Sequence, residues 1–281
     1  MTRFPRPDAL VQGTGLAPSS HLQKVLLSEL ERISELPSAS DSNRKPLSDN
    51  ESGPFEVALR ESYSREGGSI IAEYKQGSPS LGPFAAGTSL REQLTNYQDG
   101  GAACCSILTE PRYFLGSSQH IAQAVEMGMP SLYKGFVISK GHLFDAAASG
   151  AQAVLLIARV LKEHTAVFAE AARALGLEPL VELHDLTEIP AAQASGARLV
   201  GINARDLSTF TLGAPSAAPL RKAFPNAVLI RESGLATPED AVEAFSAGFD
   251  AVLIGEALMR SANPKGFLHR VLAGAKTRVA S

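Results

Sequence analysis

Ionisable side chains stand where four hydrophobic, strand-like runs of this chain end. The runs read SIIAEYK, PSLYKGF, EPLVELH and AVLIRESG, and the charged residues at their ends are Glu73, Lys75, Lys134, Glu182 and Glu232. A charge at the end of an apolar strand costs free energy unless it meets partners in a common polar site. Acids and amines around one cavity can act as general acids and bases, because burial and neighbouring charges separate their pKa values. The placement therefore favours an enzyme.

Strand-like runs and helical patterns alternate from residue 69 onward, and this alternation must position the charges. The strand-like runs fall near residues 70–75, 104–109, 131–136, 153–158, 178–184, 198–203, 227–232 and 251–255. A small-residue signature that should end every second helix recurs at Gly101, Gly150, Gly196 and Gly248. Eight such strands predict an α/β fold, a (β/α)8 TIM barrel, with its active site at the carboxyl ends of the strands. A doubly wound open sheet is the alternative, but no GxGxxG motif follows the first strand.

Two helices are predicted in front of the barrel. Residues 21–36 place apolar side chains at helical spacing, and the segment PFEVALRESY reads as a second, short helix. The Ser-, Asp-, Asn- and Pro-rich stretch 37–53 between them is expected to be a loop or linker. Residues 1–20 lack useful periodicity and are expected to form a loose leader. We therefore predict one barrel domain over residues 21–281, with extension helices within residues 21–66.

Composition excludes several classes of function. The chain has 281 residues, 44% hydrophobic and 20% charged, with a formal net charge of -3. This balance gives no support for a nucleic-acid partner, and no apolar run is long enough to cross a membrane. The first residues lack the apolar core of a secretory signal, so a cytoplasmic location is expected. Cys104 and Cys105 are neighbours on one strand and point to opposite faces, which predicts packing rather than a disulfide or a metal site.

The histidines give no sign of a metal centre. His120, His142 and His164 lie in helical patterns and are expected to face solvent. His184 follows the fifth strand and is a candidate for the mouth of the barrel. No HxH or HxxxH spacing is present, so no metal site is predicted.

Further candidate residues follow the first and sixth strands. Glu73 and Lys75 are two apart and face the same side, as either a catalytic pair or a buried ion pair that closes the barrel. Ser78, in the turn after them, could donate hydrogen bonds to an anion. Asn203 ends the sixth strand, and Arg205 offers a fork suited to a carboxylate, although it could equally pair with Asp206 or a neighbouring loop.

The last two strands end in turns that suit a phosphate. Ser233 and Gly234 follow the seventh strand, and Gly255 and Glu256 follow the eighth. In TIM barrels these two loops often bind phosphate through backbone N–H groups. Glycine at such positions lets the backbone approach an anion closely.

In order and spacing, these motifs resemble the indole-3-glycerol phosphate synthase family of the tryptophan pathway. The matching segments, within about residues 21–275, are IIAEYKQGSPSLG, CSILTEPRYFLGS, LYKGF, AVLLIARVL, EPLVELHD, GINARDL, RESG and IGEALMR. The resemblance implies a carboxy-lyase that closes 1-(2-carboxyphenylamino)-1-deoxyribulose 5-phosphate to an indole with loss of CO2 and water. It implies a phosphorylated small-molecule substrate and no metal or organic cofactor. Both a monomer and a homodimer stay open.

Position by position, the resemblance also implies residue roles. Lys134 resembles the general acid of ring closure. The residues that resemble the proton-transfer and dehydration groups are Glu182, Glu73 and Lys75. The residues that complete the polar lining are Asn203, Glu232 and Ser233. The phosphate loops match Gly234, Gly255 and Glu256. The anthranilate carboxylate is implied to lie near Ser78 and Arg205, and the aromatic walls of the ring pocket are implied to be Phe114 and Phe136.

Three positions depart from the family's usual motifs. The family usually reads KDF after the third strand and KRxSPSKG after the first. This chain instead has Gly135 in place of the acid, and Gln76 and Leu81 in place of two basic residues. Without the acid, Lys134 is expected to have a lower pKa than in the KDF context, unless a glutamate of the site compensates.

The departures leave three other functions open. The first is a specialised-metabolism paralogue that acts on a substituted anthranilate-derived substrate. The second is a neighbouring isomerase reaction on a phosphoribosyl amine, although two lysines and two glutamates exceed what a simple acid–base pair needs. The third is a non-catalytic sugar-phosphate-binding barrel within an enzyme assembly.

Overall fold

Eight parallel strands close a barrel in which each strand pairs with the next and the last pairs with the first. The computed structural model describes residues 4–39, 44–48, 51–79, 82–84, 89–203 and 216–280. The barrel strands are β1 (Ser69–Tyr74), β2 (Cys104–Leu108), β3 (Ser131–Lys134), β4 (Ala153–Ile157), β5 (Glu178–Leu183), β6 (Leu199–Asn203), β7 (Val228–Glu232) and β8 (Ala251–Ile254). A short hairpin of Gly77–Ser78 and Gly82–Pro83 follows β1. The predicted barrel and its strand positions are confirmed.

Helices precede the barrel and alternate with its strands. In chain order they are α1 (Pro7–Gly13), α2 (His21–Glu31), α3 (Pro54–Glu66), α4 (Leu90–Asp99), α5 (Gln119–Glu126), α6 (Lys140–Ala148), α7 (Ala158–Leu161), α8 (Thr165–Ala174), α9 (Ile189–Ala194), α10 (Ala218–Ala223), α11 (Pro238–Ser246), α12 (Glu256–Arg260) and α13 (Pro264–Ala280). Short 3-10 turns occupy Ile33–Glu35, Lys162–His164 and Leu186–Glu188. The glycines predicted to follow helices have positive φ angles of 86°, 86°, 65° and 95° at Gly101, Gly150, Gly196 and Gly248, so this prediction is confirmed.

Strand register brings the charged strand ends to one rim. The strands are buried over almost their whole length, as expected where helices cover the outside and side chains fill the inside. In the parallel ladder, Glu232 of β7 pairs with Asn203 of β6 and with Leu253 of β8. Glu182 of β5 pairs with Ile157 of β4. Each candidate therefore projects from the carboxyl end of its strand, where the neighbouring strands also stop.

The expectation of a loose leader is wrong for residues 7–13, which form α1. This helix buries Leu10 and Val11 against the rest of the protein. Ahead of it, the ring of Phe4 packs edge-on against Phe168 of α8, with 4.8 Å between ring centroids. A helix of only seven residues carries too few apolar positions for a periodic signal, so only tertiary contact reveals it. The division of the chain into a leader and a single barrel domain stays a prediction.

A buried polar contact ties α2 to the barrel, and it corrects the expectation that His142 faces solvent. His142 of α6 is fully buried, with Nε2 at 2.7 Å from Glu29 Oε2 and Nδ1 at 2.8 Å from Ser139 Oγ. Arg32 also donates its Nε–H to Glu29, at 2.9 Å. The helical pattern of residues 21–36 is interrupted here, because α2 ends at Glu31 and a 3-10 turn follows.

At the opposite end of the barrel, Glu178 holds α3. Its carboxylate accepts the backbone N–H groups of Phe55 and Glu56, at 2.7 and 2.9 Å, in the first turn of that helix. Burial raises the pKa of Glu178 to about 7, although the two hydrogen bonds favour the charged form. The second predicted helix is thus present and anchored on the first residue of β5.

The described residues bear on two of the excluded classes, membrane-spanning proteins and metal-binding proteins. The described helices fall short of the length and apolar character that a membrane crossing needs. Within the described ranges, His, Cys, Asp and Glu side chains do not assemble into groups of three or more that could hold a metal ion. Cys104 and Cys105 are buried and unlinked, and the predicted packing role is consistent with their positions in β2.

We expect Glu29→Ala to lower the free energy of unfolding by about 3 kcal/mol, because it strips the partner from a buried histidine and from Arg32. Urea denaturation measures this change. The matched control is Glu31→Ala on the same helix, since Glu31 pairs with Arg112 at an exposed position and its loss should change stability little. Equal losses in the two variants would show that the buried contact does not anchor α2.

Candidate active site

One cavity of about 690 Å3 opens at the carboxyl ends of the strands. It is lined by all the candidate residues that the structure describes, namely Glu73, Lys75, Ser78, Phe114, Lys134, Phe136, Glu182, Asn203, Glu232, Ser233, Gly234, Gly255 and Glu256. Arg205 and Leu81 lie outside the described residues. The structure therefore brings together side chains from five strands, β1, β3, β5, β6 and β7, with residues of the loops that follow the strands.

Lys134 lies at the centre of the charged groups. Its Nζ forms a short hydrogen bond with Glu232 Oε2 and lies 3.5 Å from Glu182 Oε2 and 4.0 Å from Glu73 Oε2. Lys75 Nζ is 3.1 Å from Glu73 Oε1. Glu73 and Lys75 do form an ion pair, and this pair lies in the cavity wall beside Lys134. We call these five residues the charged cluster.

The charged cluster has three acids and two amines. One acid therefore lacks a counter-charge unless it binds a proton. Burial raises the pKa of Glu232 to about 8, and the charge of Glu182 adds to this effect while Lys134 opposes it. Burial by itself favours a neutral Lys134, but the carboxylates of Glu232, Glu182 and Glu73 together raise the pKa of the amine. At neutral pH we therefore assign a proton to Glu232 and a full positive charge to Lys134.

Two glycines make room for the buried carboxylates. A Cβ atom at Gly201 in β6 would overlap Oε1 of Glu232, and a Cβ atom at Gly255 would overlap Oε1 of Glu73. Neither position has the left-handed backbone that requires glycine, so the reason is space. Gly255 thus bounds the charged cluster as well as the predicted phosphate loop.

His184 lies directly behind Glu182. Its ring is 3% exposed, and Nε2 is 3.1 Å from Glu182 Oε1. Burial lowers the pKa of His184 to about 4, so the imidazole is neutral at pH 7. The suggestion that His184 lines the mouth of the barrel is confirmed by its place in the cavity wall.

The aromatic wall depends on a residue that the sequence analysis missed. Phe114 and Phe136 lie 5.7 Å apart between ring centroids, with their planes tilted by 32°. The loop that carries Phe114 is held by the buried carboxylate of Glu110, which accepts backbone N–H groups of Arg112, Tyr113 and Phe114 at 3.0, 2.7 and 3.1 Å. The only sequence signal was an acid placed just before a proline-containing turn.

Helix α2 also contributes to the cavity, which the sequence analysis did not predict. His21, Leu22 and Val25 line the mouth from this helix. The apolar spacing predicts an amphipathic helix, and periodicity cannot distinguish a face that covers a core from one that covers a cavity. The Glu29 anchor described above therefore also holds one wall of the site.

The turns after β7 and β8 lie side by side. Ser233 and Gly234 have φ angles of 64° and 72°, which turn the chain sharply after Glu232. Gly255 directly precedes α12, which begins at Glu256. Both turns line the cavity, as the motif order predicted.

Packing explains the glycine at position 135. An added Cβ atom there would lie 2.6 Å from Tyr133 Cε1 and 2.7 Å from Thr109 Oγ1, so an aspartate does not fit without displacement of its neighbours. Tyr133 is itself fixed, because it is fully buried and donates to Asp145 at 3.0 Å. The glutamates of the charged cluster supply the negative charge that the missing acid would have provided to Lys134. Whether the pKa of Lys134 is lower than in a KDF context stays a prediction.

Known proteins are similar to this chain in sequence and in fold. The sequence pattern of a family described as indole-3-glycerol phosphate synthase matches residues 22–271. The indole-3-glycerol phosphate synthase of Lachnoclostridium phytofermentans is 39% identical over 210 residues, which is 74% of this chain and 78% of the relative. That of Desulfosudis oleivorans is 39% identical over 222 residues, or 78% of this chain and 84% of the relative. That of Listeria monocytogenes serovar 1/2a is 43% identical over 199 residues, or 70% and 79%.

A solved structure supports the fold alone. Thiamine phosphate pyrophosphorylase from Pyrococcus furiosus aligns with a TM-score of 0.54 and 16% identity, over 76% of this chain and 98% of the other. At that identity the likeness carries no information about the reaction.

We expect Glu232→Gln to flatten the fall of stability between about pH 5 and pH 8. In the unfolded chain the pKa of Glu232 has the ordinary value of about 4.5, whereas in the folded protein burial raises this pKa to about 8. Between these values the folded state binds the extra proton, so stability falls by up to about 1.4 kcal/mol per pH unit as pH rises. Glutamine mimics the protonated acid and removes this contribution.

The measurement is urea unfolding at several pH values across this window. Glu256→Gln is the matched control, because Glu256 lines the same cavity but lies at its partly exposed edge. Identical slopes for wild type and Glu232→Gln would mean that Glu232 is ionised throughout the window.

Proposed function

The chain belongs to the indole-3-glycerol phosphate synthase family, and from that premise we infer how its side chains perform the reaction. The reaction closes 1-(2-carboxyphenylamino)-1-deoxyribulose 5-phosphate to indole-3-glycerol phosphate, with loss of CO2 and water, in tryptophan biosynthesis. The substrate is a phosphorylated small molecule. The observation that supports the assignment of roles is the charged cluster around Lys134 at the carboxyl rim of the barrel.

Lys134 is the proposed general acid of ring closure. When the aromatic carbon attacks the ketone of the sugar chain, negative charge develops on the ketone oxygen, and an ammonium group can neutralise it by donating a proton. Lys134 is buried and charged, which are the properties such a donor needs. Attack by this carbon interrupts the aromaticity of the ring, and loss of CO2 then restores it.

Dehydration completes the indole and needs both a base and an acid. Glu182 is the proposed base, because it contacts Lys134 and His184 and faces the cavity. Lys75, paired with Glu73, is the proposed acid that assists departure of the hydroxyl group. Glu232 and Asn203 complete the polar lining that orients the sugar chain.

The two ends of the substrate are assigned to opposite parts of the rim. We assign the phosphate to the adjacent turns formed by Ser233–Gly234 and Gly255–Glu256, where backbone N–H groups can approach an anion. We assign the aromatic ring to the pocket between Phe114 and Phe136. Ser78 lines the same cavity and is the proposed donor to the ring carboxylate, together with Arg205 outside the described residues.

No described contact favours the isomerase reaction or the non-catalytic barrel. The departure at position 135 is explained by packing against Tyr133 and Thr109, and Gln76 is an exposed residue. A preference for a substituted anthranilate-derived substrate is tested by an assay that compares the unsubstituted and the ring-substituted substrates. A monomer and a homodimer both stay open, and the cytoplasmic location stays a prediction.

The deciding experiment incubates the purified protein with the carboxyphenylamino substrate, with no added metal, and follows indole absorbance. We expect product from the unsubstituted substrate. Product from ring-substituted substrates alone would identify a specialised paralogue, and binding without turnover would identify a non-catalytic barrel.

Lys134→Ala should reduce kcat by about 10²- to 10⁴-fold, the usual contribution of a general acid. Circular dichroism checks that the barrel remains folded. Lys265→Ala is a suitable control, since Lys265 pairs with Asp99 on the surface and takes no part in the cavity. Near wild-type kcat in folded Lys134→Ala would remove this residue from the mechanism.

Glu182→Gln should reduce kcat strongly while KM moves less. The amide keeps the shape of the side chain but cannot accept the proton, and the contacts to phosphate and ring are untouched. Steady-state kinetics separates the two constants. A loss confined to KM would make Glu182 a binding residue instead.

A further inference from the structure

We propose that Arg260 binds the phosphate group of the substrate, and that it exchanges its ion pair with Glu256 for the phosphate when the substrate enters the cavity. This role rests on the proposed function, because it concerns the phosphate that we assign to the turns after β7 and β8. Three observations support it: the charge balance of the cavity, the position of α12 and the contacts of the guanidinium group.

A phosphate at these two turns needs a positively charged side chain nearby. A phosphate monoester carries about −1.5 to −2 charges at pH 7. The turns Ser233–Gly234 and Gly255–Glu256 can offer backbone N–H groups, which are dipoles without net charge. The carboxylate of Glu256 adds a negative charge at the same place. Backbone contacts alone therefore leave the phosphate without a counter-charge.

The charged cluster cannot supply that counter-charge. Among the described residues, the lysine and arginine side chains that line the cavity are Lys75, Lys134 and Arg260. Lys75 is paired with Glu73, and Lys134 lies among three carboxylates. With a proton on Glu232, the three acids and two amines of the cluster have a net charge of zero, and without this proton the net charge is negative. Arg260 is the one described lining cation outside the cluster.

Helix α12 places Arg260 on the side of the cavity. Arg260 is the last residue of α12 and lies four residues after Glu256, so the two side chains share one face of the helix. Both line the cavity. The rest of the helix is fixed by packing, because Leu258 is fully buried and Met259 Sδ lies 3.5 Å from the hydroxyl oxygen of Tyr97. The face that carries Glu256 and Arg260 is thus held toward the turns.

The guanidinium group of Arg260 is held only weakly. Its Nη1 lies 3.5 Å from Glu256 Oε1, which is an ion pair and not a hydrogen bond, and its side chain is 61% exposed. An exposed ion pair of this kind contributes little free energy, so it can be exchanged at small cost. Arginine can instead present two parallel N–H groups to phosphate oxygens, which is a stronger and more specific contact. Phosphate therefore competes well with Glu256 for Arg260.

The test titrates inorganic phosphate into the unliganded protein at pH 7 and follows the backbone amide NMR signals of Gly234 and Gly255. In Arg260→Gln we expect the dissociation constant to rise about tenfold, because a charge-assisted contact is lost. Arg260→Lys should give an intermediate value, since lysine keeps the charge but not the planar fork.

Arg91→Gln is the matched control. Arg91 of α4 also pairs with a glutamate at 3.5 Å, Glu126 of α5, and its side chain is 63% exposed. The substitution removes the same charge from a similar pair that lies outside the cavity lining. We expect its phosphate dissociation constant to change by less than about twofold, because solvent and salt screen a remote exposed charge.

Glu256→Gln tests the exchange of partners. This substitution removes the carboxylate that competes for Arg260 and repels the phosphate, so the dissociation constant should fall about threefold. An affinity that stays the same or weakens in Glu256→Gln would contradict the exchange.

Steady-state kinetics gives a second readout. In Arg260→Gln we expect KM to rise about tenfold while kcat changes by less than about threefold, because the phosphate lies away from the reacting atoms and its contacts stabilise substrate and transition state alike. A loss confined to kcat would contradict a phosphate-binding role.

Unchanged phosphate affinity in Arg260→Gln would overturn the proposal, as would equal weakening in Arg260→Gln and Arg91→Gln. Wild-type amide signals of Gly234 and Gly255 that do not respond to phosphate would also overturn it. The titration requires no turnover. A protein that gives no product, but loses phosphate affinity in Arg260→Gln, would contradict the proposed function and support the role of Arg260. Product formation with an unaltered KM in Arg260→Gln would contradict the role of Arg260 alone.

Discussion

Burial of three carboxylates and two ammonium groups in one cavity is the constraint on which the rest of this structure depends. Lys134 contacts Glu232, Glu182 and Glu73, so it compensates repulsion that these acids would otherwise exert on each other. Removing one partner from such a cluster leaves another charge stranded in a poorly solvated place. Because acids outnumber amines, the cluster also retains a proton. The same imbalance that is costly for stability therefore keeps a protonated acid, Glu232, beside a charged amine, Lys134, at neutral pH.

The surrounding fold makes this cluster possible in three ways. Gly201 and Gly255 leave space for carboxylate oxygens that any larger residue would displace. His184 packs a neutral ring against Glu182, with its Nε2 at 3.1 Å from Glu182 Oε1. Buried acids outside the cluster, Glu29 and Glu110, fix the helix and the loop that form the walls. The glycines and the histidine set distances in the site, and the two buried acids also satisfy buried hydrogen-bond donors.

The barrel fold by itself does not specify the reaction. A thiamine phosphate pyrophosphorylase shares the fold at 16% identity and carries a different name, whereas the relatives near 40% identity share the name indole-3-glycerol phosphate synthase. Ring closure followed by dehydration requires protons to be delivered and removed at different atoms of one substrate. A cluster whose members hold different protonation states at one pH meets that requirement, which a single acid–base pair does not.

The sequence by itself determined the barrel, its strand positions and the set of residues that meet at its rim. These follow from local features, namely apolar runs, glycines after helices and charges at strand ends. Because the carboxyl ends of all barrel strands lie at one rim, charges at these ends lie close together in the fold. Tertiary structure alone decided the burial of His142, the role of Glu110, the packing that fixes Gly135 and the place of the proton in the charged cluster. The His142–Glu29 contact joins residues 113 apart, and the Lys134–Glu232 contact joins residues 98 apart. Protonation depends on desolvation and on distances of a few ångströms between such remote groups, and no local pattern in a sequence encodes those.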